Sequence, residues 1–512
     1  MLSLIVIPSQ DTLVRLNTMQ ATRRLTIHHL PADVILFIFR SLYDSLHEMK
    51  QNYDIRLSHQ TIAEEDVSWD TRDPTFWRWK DEHVLMPSIF PYACARVCMQ
   101  WRDLIAGVSA FWTRVIIILD APHFSASWVR WLLERSRNHP IQVWVTRMNK
   151  QPNPVIGDGS VEERVNVKMA LECLQPHLVR CRMLCFNVLC RSSIVAACYR
   201  LSGEAPALRS LVLNSRVTDT VAPSSRLRHL TCNLTHLTVD AKSFTDIRKY
   251  RDWGGLSAYA SRHLSIRITA YTLSDGPTSF VSMKRLILAL RRMPRCDSLT
   301  IKDVCFRPTD TTANDLGVVL GIDLLNFENL EGTAVRDFFA NTITHPESTS
   351  ITRCSLAGEW TNPVEGQDLA FIDIGADEKT ALAGALRYWD NQFLHFVRCP
   401  AVDDAFLLDT VAQLPELSIL YLTECEFTPG VLRTIVERRA ADENLSRMTE
   451  FEVACPGVEM PQDLRAWAKA VDMPLLWSAH RPSPGYDYDG YFRGVRPEEC
   501  DDEDFYSYLN EE

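Results

Sequence analysis

The sequence lacks the short motifs that mark the common enzyme classes. It contains no G-x-G-x-x-G, Walker loop, H-E-x-x-H, G-x-S-x-G or C-x-x-C pattern. These absences argue against nucleotide sites, zinc sites and the nucleophile elbow of hydrolases. We therefore expect no cofactor, no metal ion and no catalytic residue, and we expect that the chain is not an enzyme. A hydrolase site in the irregular middle of the chain is an alternative that no motif supports.

Long apolar runs and an excess of basic residues are also missing. No run of 18 apolar residues occurs, so no membrane-spanning helix is predicted. The formal charge is −11, from 54 basic and 65 acidic residues, which argues against a broad nucleic-acid-binding face. Eight of the carboxylates lie between Glu498 and Glu512, a segment without Lys or Arg. The rest of the chain is therefore close to neutral.

The chain does have the material for a large folded body. Its 512 residues and 46% apolar content predict roughly three domains with ordinary cores. Fifteen cysteines occur, many at periodic apolar positions, and the apolar start Leu2–Ile7 lacks the features of a signal peptide. We expect free thiols in a reducing compartment, and hence a cytoplasmic or nuclear protein.

The first strong pattern is an amphipathic helix that begins after Leu30. Pro31 suits the first helical turn because it has no N–H to lose there, and Asp33 suits the positive end of the helix dipole. The following apolar residues have the spacing of one helix face: Ile35, Ile38, Phe39 and Leu42. Leu36 and Phe37 widen this apolar arc. Such a helix needs two surfaces to pack against, and the second is either its own domain or a partner.

A second helix is predicted over residues 92–105, and the apolar run Val115–Leu119 is typical of a buried strand. Between them, Trp101 and Trp112 have the spacing of core anchors rather than of partner contacts.

Together these segments resemble the F-box, and more narrowly the F-box-like proteins of mushroom-forming fungi with leucine-rich repeats. The resemblance is carried by these residues, in this order: Leu30-Pro31, Val97-Cys98-x-x-Trp101-Arg102, Phe111-Trp112, Trp131–Ser136 and Pro140-Ile141. The sequence departs from the family in an insert at about residues 43–90, which separates the first helix from the second segment.

The resemblance implies a small helical unit whose apolar ridge binds the adaptor subunit of a Skp–cullin–F-box ubiquitin ligase, and through it a cullin. It implies five adaptor-binding residues: Leu30, Pro31, Val34, Ile38 and Leu42. It also implies that the chain is a substrate receptor, which holds an unknown target protein near the ubiquitin-loaded enzyme. The alternative is a scaffold or interaction protein, in which these residues close a core and the F-box-like unit only caps the repeats.

Short apolar triads recur from about residue 178. They begin at Leu184, Leu211, Leu237, Leu264, Leu299, Leu394, Leu420 and Phe451. The intervals of 26 and 27 residues between the clearest triads fall within the range of leucine-rich repeats. The sequence therefore predicts an α/β fold. An N-terminal helical F-box-like unit precedes a leucine-rich-repeat-like solenoid, with parallel strands on the concave side and helices outside. An irregular α/β domain with chance triads is the alternative.

Cys399 and Cys425 each follow the last apolar position of their triad by three residues. This spacing resembles the cysteine-containing class of leucine-rich repeat, in which the cysteine packs inside the turn. The repeat register is hard to follow over residues 302–393. Degenerate strands are expected there near Leu324–Phe327 and Ile351–Cys354.

Alternate strand residues point out of such a sheet, where they are available to a target protein. The outward positions selected as target-binding residues are Val212, Asn214, His236, Asp240, Tyr421 and Thr423. Their mixed chemistry suits a protein–protein surface and excludes neither charged nor apolar targets.

The predicted organisation has five segments: a leader (1–24), an F-box-like domain (25–119), a linking helix and strand region (120–177), the repeats (178–480) and an acidic tail (481–512). The composition of the tail is typical of a disordered, solvated segment. The alternative is a tail that folds back on basic positions of the repeats.

Overall fold

The computed structural model divides the chain into two compact units, Met1–Trp112 and Thr113–Glu512. The residues that it describes are 30–45, 47–49, 77–79, 90–148, 156–220, 230–247, 264–269, 281–291, 293, 296–307 and 317–478. The predicted leader, most of the predicted insert and the predicted acidic tail lie outside these residues.

The first unit is mainly helical in its described residues. Its helices are α1 (Ala32–Ser45), α2 (Tyr92–Ala95) and α3 (Met99–Gly107), followed by a 3₁₀ turn at Ser109–Trp112. Within the predicted insert, β1 (His47–Met49) pairs antiparallel with β2 (Trp77–Trp79).

The single helix predicted over residues 92–105 is in fact two helices. The backbone of Cys98 is extended, and its Sγ accepts a hydrogen bond from the backbone N–H of Trp101 at 3.4 Å. Cys98 therefore caps α3 instead of continuing α2. As a result, Cys94 and Cys98 do not share one helix face.

Trp101 and Trp112 are packed, as predicted. The ring of Trp101 lies edge to face on Phe39, with 5.0 Å between the ring centroids. Trp112 is 2% exposed, and its Nε1 donates to the carbonyl of Ile105 at 3.0 Å. Because each ring has partners inside the unit, both residues act as core anchors.

The second unit is an α/β body built on one sheet of fourteen parallel strands. In sheet order the strands are β3 (Arg114–Ile118), β4 (Ile141–Thr146), β5 (Cys181–Cys190), β7 (Ser210–Val217), β9 (His236–Asp240), β10 (Leu264–Thr269), β11 (Cys296–Lys302), β13 (Ile322–Glu328), β15 (Ser348–Thr352), β16 (Asp368–Ile372), β17 (Phe393–Val397), β18 (Ile419–Thr423), β19 (Glu450–Ala454) and β20 (Leu475–Ser478). Sheet order follows chain order, as it does in a solenoid.

Short strands and helices fill the connections. Two parallel pairs lie outside the main sheet: β6 (Gly203–Ala205) with β8 (Leu230–Cys232), and β12 (Val318–Leu320) with β14 (Thr342–Thr344). The helices are α4 (Ala126–Arg135), α5 (Ile156–Leu174), α6 (Arg191–Arg200), α7 (Ala241–Ile247), α8 (Met283–Leu290), α9 (Ala334–Asn341), α10 (Lys379–Leu386), α11 (Asp404–Asp409), α12 (Gly430–Ala441) and α13 (Gln462–Ala470). The predicted α/β architecture is confirmed.

Burial alternates along strands such as β7 and β18, which identifies the packed face of the sheet. In β18, Leu420 and Leu422 are completely buried, and the residues between and beside them are only partly buried. Leu420 lies beside Leu394 in one neighbouring strand and beside Phe451 in the other. Buried side chains therefore form continuous rows across the strands. We call the side that carries the alternate residues the open face.

The sheet differs from the prediction in where it begins and in β16 and β20, which were not predicted as strands. It begins at Arg114, so residues 120–177, predicted as a linking region, contribute β4 and several helices to the same unit. The predicted strand at Val115–Leu119 exists as β3, but it belongs to the second unit and not to the F-box-like domain. β16 was not predicted. It follows β15 after a short connection, which does not fit an interval of 26 or 27 residues.

Six consecutive strands of the sheet end in the same turn. The residue after each strand has a left-handed backbone, with φ between 49° and 55°: Asp303, Asn329, Arg353, Asp373, Arg398 and Glu424. Its N–H continues the sheet, as when Arg398 donates to the carbonyl of Thr423 at 2.8 Å. The next residue then points into the core. Cys399 and Cys425 occupy this position, 0% and 8% exposed, and their burial in the turn is as predicted.

Candidate functional site: protein-interaction surfaces

Helix α1 is fixed by its first turn and by one packed side. The carbonyl of Pro31 accepts the N–H of Ile35 at 3.1 Å, and Asp33 lies at the positive end of the helix dipole. Ile35 and Phe39 are each 1% exposed. Because they are four residues apart, they lie on one face of the helix and hold that face against the rest of the unit.

Other apolar side chains of α1 are exposed. The exposed fraction is 40% for Val34, 43% for Ile38 and 37% for Leu42. Of the other two predicted adaptor-binding residues, Pro31 is exposed and Leu30 is half-buried. The three helical residues are thus not part of the buried core of this unit.

Phe37 extends this surface, although the sequence analysis gave it no functional role. It is 70% exposed, and it lies three residues after Val34, on the same side of the helix. The signal was present in the sequence, because Phe37 and Ile38 both have helical spacing from Val34. We call Val34, Phe37, Ile38 and Leu42 the α1 stripe. A contiguous apolar surface of this kind is typical of a protein-binding site.

Five of the six predicted target-binding residues have accessible side chains on the open face of the second unit. His236 is exposed, and four are half-buried: Val212, Asn214, Tyr421 and Thr423. Whether they contact a target stays a prediction. They lie in two groups, on β7 and β9 and on β18, with six strands of the sheet between the groups.

The prediction for Asp240 is wrong. Asp240 is 1% exposed, and its carboxylate accepts the N–H of Ser243 at 2.8 Å and lies 3.3 Å from Nε of the buried Arg191. The physical reason is that α7 begins directly after β9, without a turn, so the last strand residue caps the helix. Asp240 therefore stabilises the fold and is not available to a target.

Tyr421 lies beside a buried histidine that the sequence analysis did not identify. The rings of Tyr421 and His395 are parallel within 1°, with 4.0 Å between their centroids. Nε2 of His395 is 2.7 Å from Oδ1 of Asp368, a residue of the unpredicted strand β16. In this row of the open face, the neighbours of His395 are Ala370 and Tyr421. The row therefore places neither serine nor cysteine beside the imidazole as a nucleophile.

Three cationic side chains converge on one carboxylate at the middle of the open face. Nη2 of Arg353 is 2.8 Å from Oε1 of Glu328, and Nη2 of Arg267 is 3.6 Å from its Oε2. Nζ of Lys302 also contacts this carboxylate. We call Arg267, Lys302, Arg353 and Glu328 the basic cluster. The cluster was not predicted, because its residues come together only through the register of the strands at and beyond residue 302.

The cysteines have structural surroundings rather than reactive ones. The described cysteines are free thiols. Burial raises the pKa of Cys185 and of Cys198 to about 12, which keeps both thiols protonated and unreactive at neutral pH. Within the described ranges, no three His, Cys, Asp or Glu side chains are grouped so that they could hold a metal ion.

Two further findings bear on the class of protein. Among the helices of the described part of the chain, none is long and apolar enough to cross a membrane. No protein-family model matches the chain, and no curated protein matches it either. The assignment of a function therefore rests on the two surfaces described above.

Proposed function

We propose that the chain is a substrate-receptor subunit of a Skp–cullin–F-box ubiquitin ligase. The α1 stripe binds the adaptor subunit, and the open face of the repeats binds the target protein. The observation that carries the proposal is that α1 has both packed and exposed apolar side chains. Ile35 and Phe39 are fully packed, whereas the side chains of the stripe are 37% to 70% exposed.

The free energy available from the stripe can be estimated from its exposure. Complete burial of a large apolar side chain contributes about 1.5–3 kcal/mol. Roughly two fifths of that free energy is still available from each of the three aliphatic side chains, and more than half from Phe37. The stripe therefore supplies about 4 kcal/mol in total. Association costs at least about 4 kcal/mol in lost translational and rotational freedom. The adaptor must therefore also contact surface beyond the stripe, and Leu30 and Pro31 are the adjacent candidates.

The contribution of the chain to ubiquitin transfer is proximity. A receptor that binds adaptor and target at once raises the effective concentration of the lysines of the target near the loaded enzyme. We assign no covalent step to this chain. The buried free thiols suit a reducing compartment, so we propose that it acts in the cytoplasm or the nucleus.

The proposal is tested by binding of the full chain to a purified adaptor subunit, measured by isothermal titration calorimetry. The triple variant Val34→Ala, Ile38→Ala, Leu42→Ala is expected to lose at least about tenfold in affinity, because it truncates the central apolar contacts. Its thermal unfolding is expected to stay close to wild type, because the three side chains are not in the core.

Arg40→Ala is the matched control. Arg40 is exposed on the same helix, but it lies outside the stripe, so its truncation is expected to leave the affinity unchanged. If the wild-type chain does not bind the adaptor at all, the ligase assignment is wrong and the scaffold interpretation replaces it.

A further inference from the structure

We propose that the basic cluster binds an acidic segment of this same chain, the run Glu498–Glu512. The run has eight carboxylates and no Lys or Arg, and it accounts for most of the formal charge of −11. It lies outside the described residues, so the argument rests on the charge of the cluster and on the chain length that connects the two. It does not depend on adaptor binding.

The basic cluster has an excess of positive charge. Glu328 balances one of its three cations, and Asp303, beside Lys302 in the chain, accepts a hydrogen bond from Asn329 at 2.6 Å. With both carboxylates counted, a net positive charge remains. The neighbouring Asp373 is paired with Arg398 at 2.7 Å and adds no net charge. Such a patch attracts carboxylates.

The cationic side chains are also accessible. The exposed fraction of the side chain is 49% for Arg267, 28% for Lys302 and 54% for Arg353, compared with 21% for Glu328. The cations thus project further into solvent than the carboxylate that they share. Further carboxylates can approach the two guanidinium groups without displacing Glu328.

The acidic run is within reach of the cluster. The strand register aligns the following residues in one row: Glu328, Thr352, Ile372, Val397, Thr423, Ala454 and Ser478. Six strand spacings of about 4.8 Å place Ser478 about 29 Å from Glu328. Twenty residues separate Ser478 from Glu498. A chain of that length spans about 25 Å as a random coil and about 66 Å when extended.

The described strands nearest to Ser478 carry acidic side chains on the open face. The open face of β18 and β19, together with the turn after β18, carries Glu424, Glu450 and Glu452. The basic cluster lies further along the sheet, and we place the run there.

Zero-length cross-linking of the full chain tests the proposal. A carbodiimide joins Nζ of Lys302 to any carboxylate in contact with it, and mass spectrometry identifies the linked peptides. We expect a product that joins Lys302 to the run 498–512. A mixture of isotopically labelled and unlabelled chains shows whether both peptides come from one chain, as we expect.

The variants follow from the charges of the cluster. Arg267→Gln with Arg353→Gln retains Lys302 but removes two cations, and the yield is expected to fall about three- to tenfold. Glu328→Gln removes the competing carboxylate, and the yield is expected to rise. In about 1 M salt the Debye length is about 3 Å, so the product is expected to be lost. Lys379, which is 38% exposed and paired with Asp403, is the control lysine and is expected to give little product with the run.

Three results would overturn the proposal. The first is that Lys302 links to Glu328 but not to the run. The second is that the yield is the same in the double variant as in the wild type. The third is a product found only between labelled and unlabelled chains, which would assign the contact to two copies of the protein. Thermal unfolding of each variant confirms that the sheet is intact, because all the changed side chains are partly exposed.

Discussion

Replacement of Arg439 by methionine tests how the last coils of the sheet are held together. Arg439 belongs to α12 and is 1% exposed. Its guanidinium donates to five backbone carbonyls. The three shortest bonds, each 2.6 Å, go to Leu414, Leu417 and Ser446. Two of these carbonyls precede β18 and the third precedes β19, so one side chain connects the helix to the entry of two strands.

The magnitude follows from these bonds. A hydrogen bond from a charged donor contributes about 1.5–3 kcal/mol, and a buried carbonyl left without a donor is unfavourable by about 1–3 kcal/mol. Removal of the buried charge offsets part of this loss of stability, because the cost of desolvating the guanidinium is also removed. We therefore expect Arg439→Met to lose about 3–5 kcal/mol of unfolding free energy. Methionine retains most of the apolar stem, so the change reports mainly on the hydrogen bonds.

The assay is urea unfolding, together with hydrogen exchange of the amides in β18 and β19. Contacts in a solenoid are made mainly between neighbouring coils, so the loss of protection is expected to centre on these strands. The control is Arg438→Met, because Arg438 is exposed and donates a single 3.3 Å bond, to the carbonyl of Leu408. A loss in Arg439→Met no larger than in Arg438→Met would refute this reasoning.

Three further predictions concern the turns, one helix cap and the thiols. Glu424→Val is expected to be less stable than Glu424→Gly by about 1 kcal/mol in urea unfolding, because φ is 52° there and a β-branched residue is strained in that region. Equal stability of the two variants would contradict a left-handed turn. The pKa of Asp403 is lowered, first by hydrogen bonds from Lys379 and then by the N–H of Phe406, so the unfolded state takes up this proton at higher pH than the folded state. The stabilisation that depends on this carboxylate is therefore present above the ordinary Asp pKa of about 3.9 and is lost as the pH falls through the pKa of the folded state. We expect the difference in unfolding free energy between wild type and Asp403→Asn to narrow below about pH 4. Burial raises the pKa of Cys198 to about 12 and that of Cys399 to about 11, and both thiols are expected to react with a maleimide only after unfolding. Rapid labelling of either thiol in the folded chain would contradict their burial.

The strands could be predicted from the sequence because the coils share the same local pattern of residues. Leu420 and Leu422 alternate with outward residues, and the triads at Leu211 and Leu237 do the same. All eight predicted triads lie in strands of the main sheet. β16 was missed although Leu369 and Phe371 are buried like the leucines of the triads, because the prediction relied on a constant interval. Coil length varies with the connection, which the strand pattern does not encode.

The turns and the basic cluster could not be predicted for a different reason. The left-handed positions hold Asp, Asn, Arg or Glu and not glycine. Asp and Asn favour this region but are also common elsewhere, so residue type alone does not identify the backbone conformation. The partners of Glu328 come from three other strands, and their meeting depends on the register between those strands. Asp240 shows the opposite error. Period-two alternation assigned it to the open face, but the immediate start of α7 turned its carboxylate into a helix cap.

The matching register of the parallel strands has a consequence for insertions and deletions. Asp368 pairs with Phe393, and Phe393 pairs with Ile419. Deletion of residues 393–418 would place Ile419 where Phe393 stood, with leucines replacing the buried Leu394 and Phe396 and another cysteine replacing Cys399. After the deletion, β18 would pair with β16 in the register that β17 had, and its pairing with β19 would be unchanged. Duplication or loss of a whole coil is thus a change that this part of the chain can tolerate, whereas loss of a single strand residue would move buried side chains to the open face.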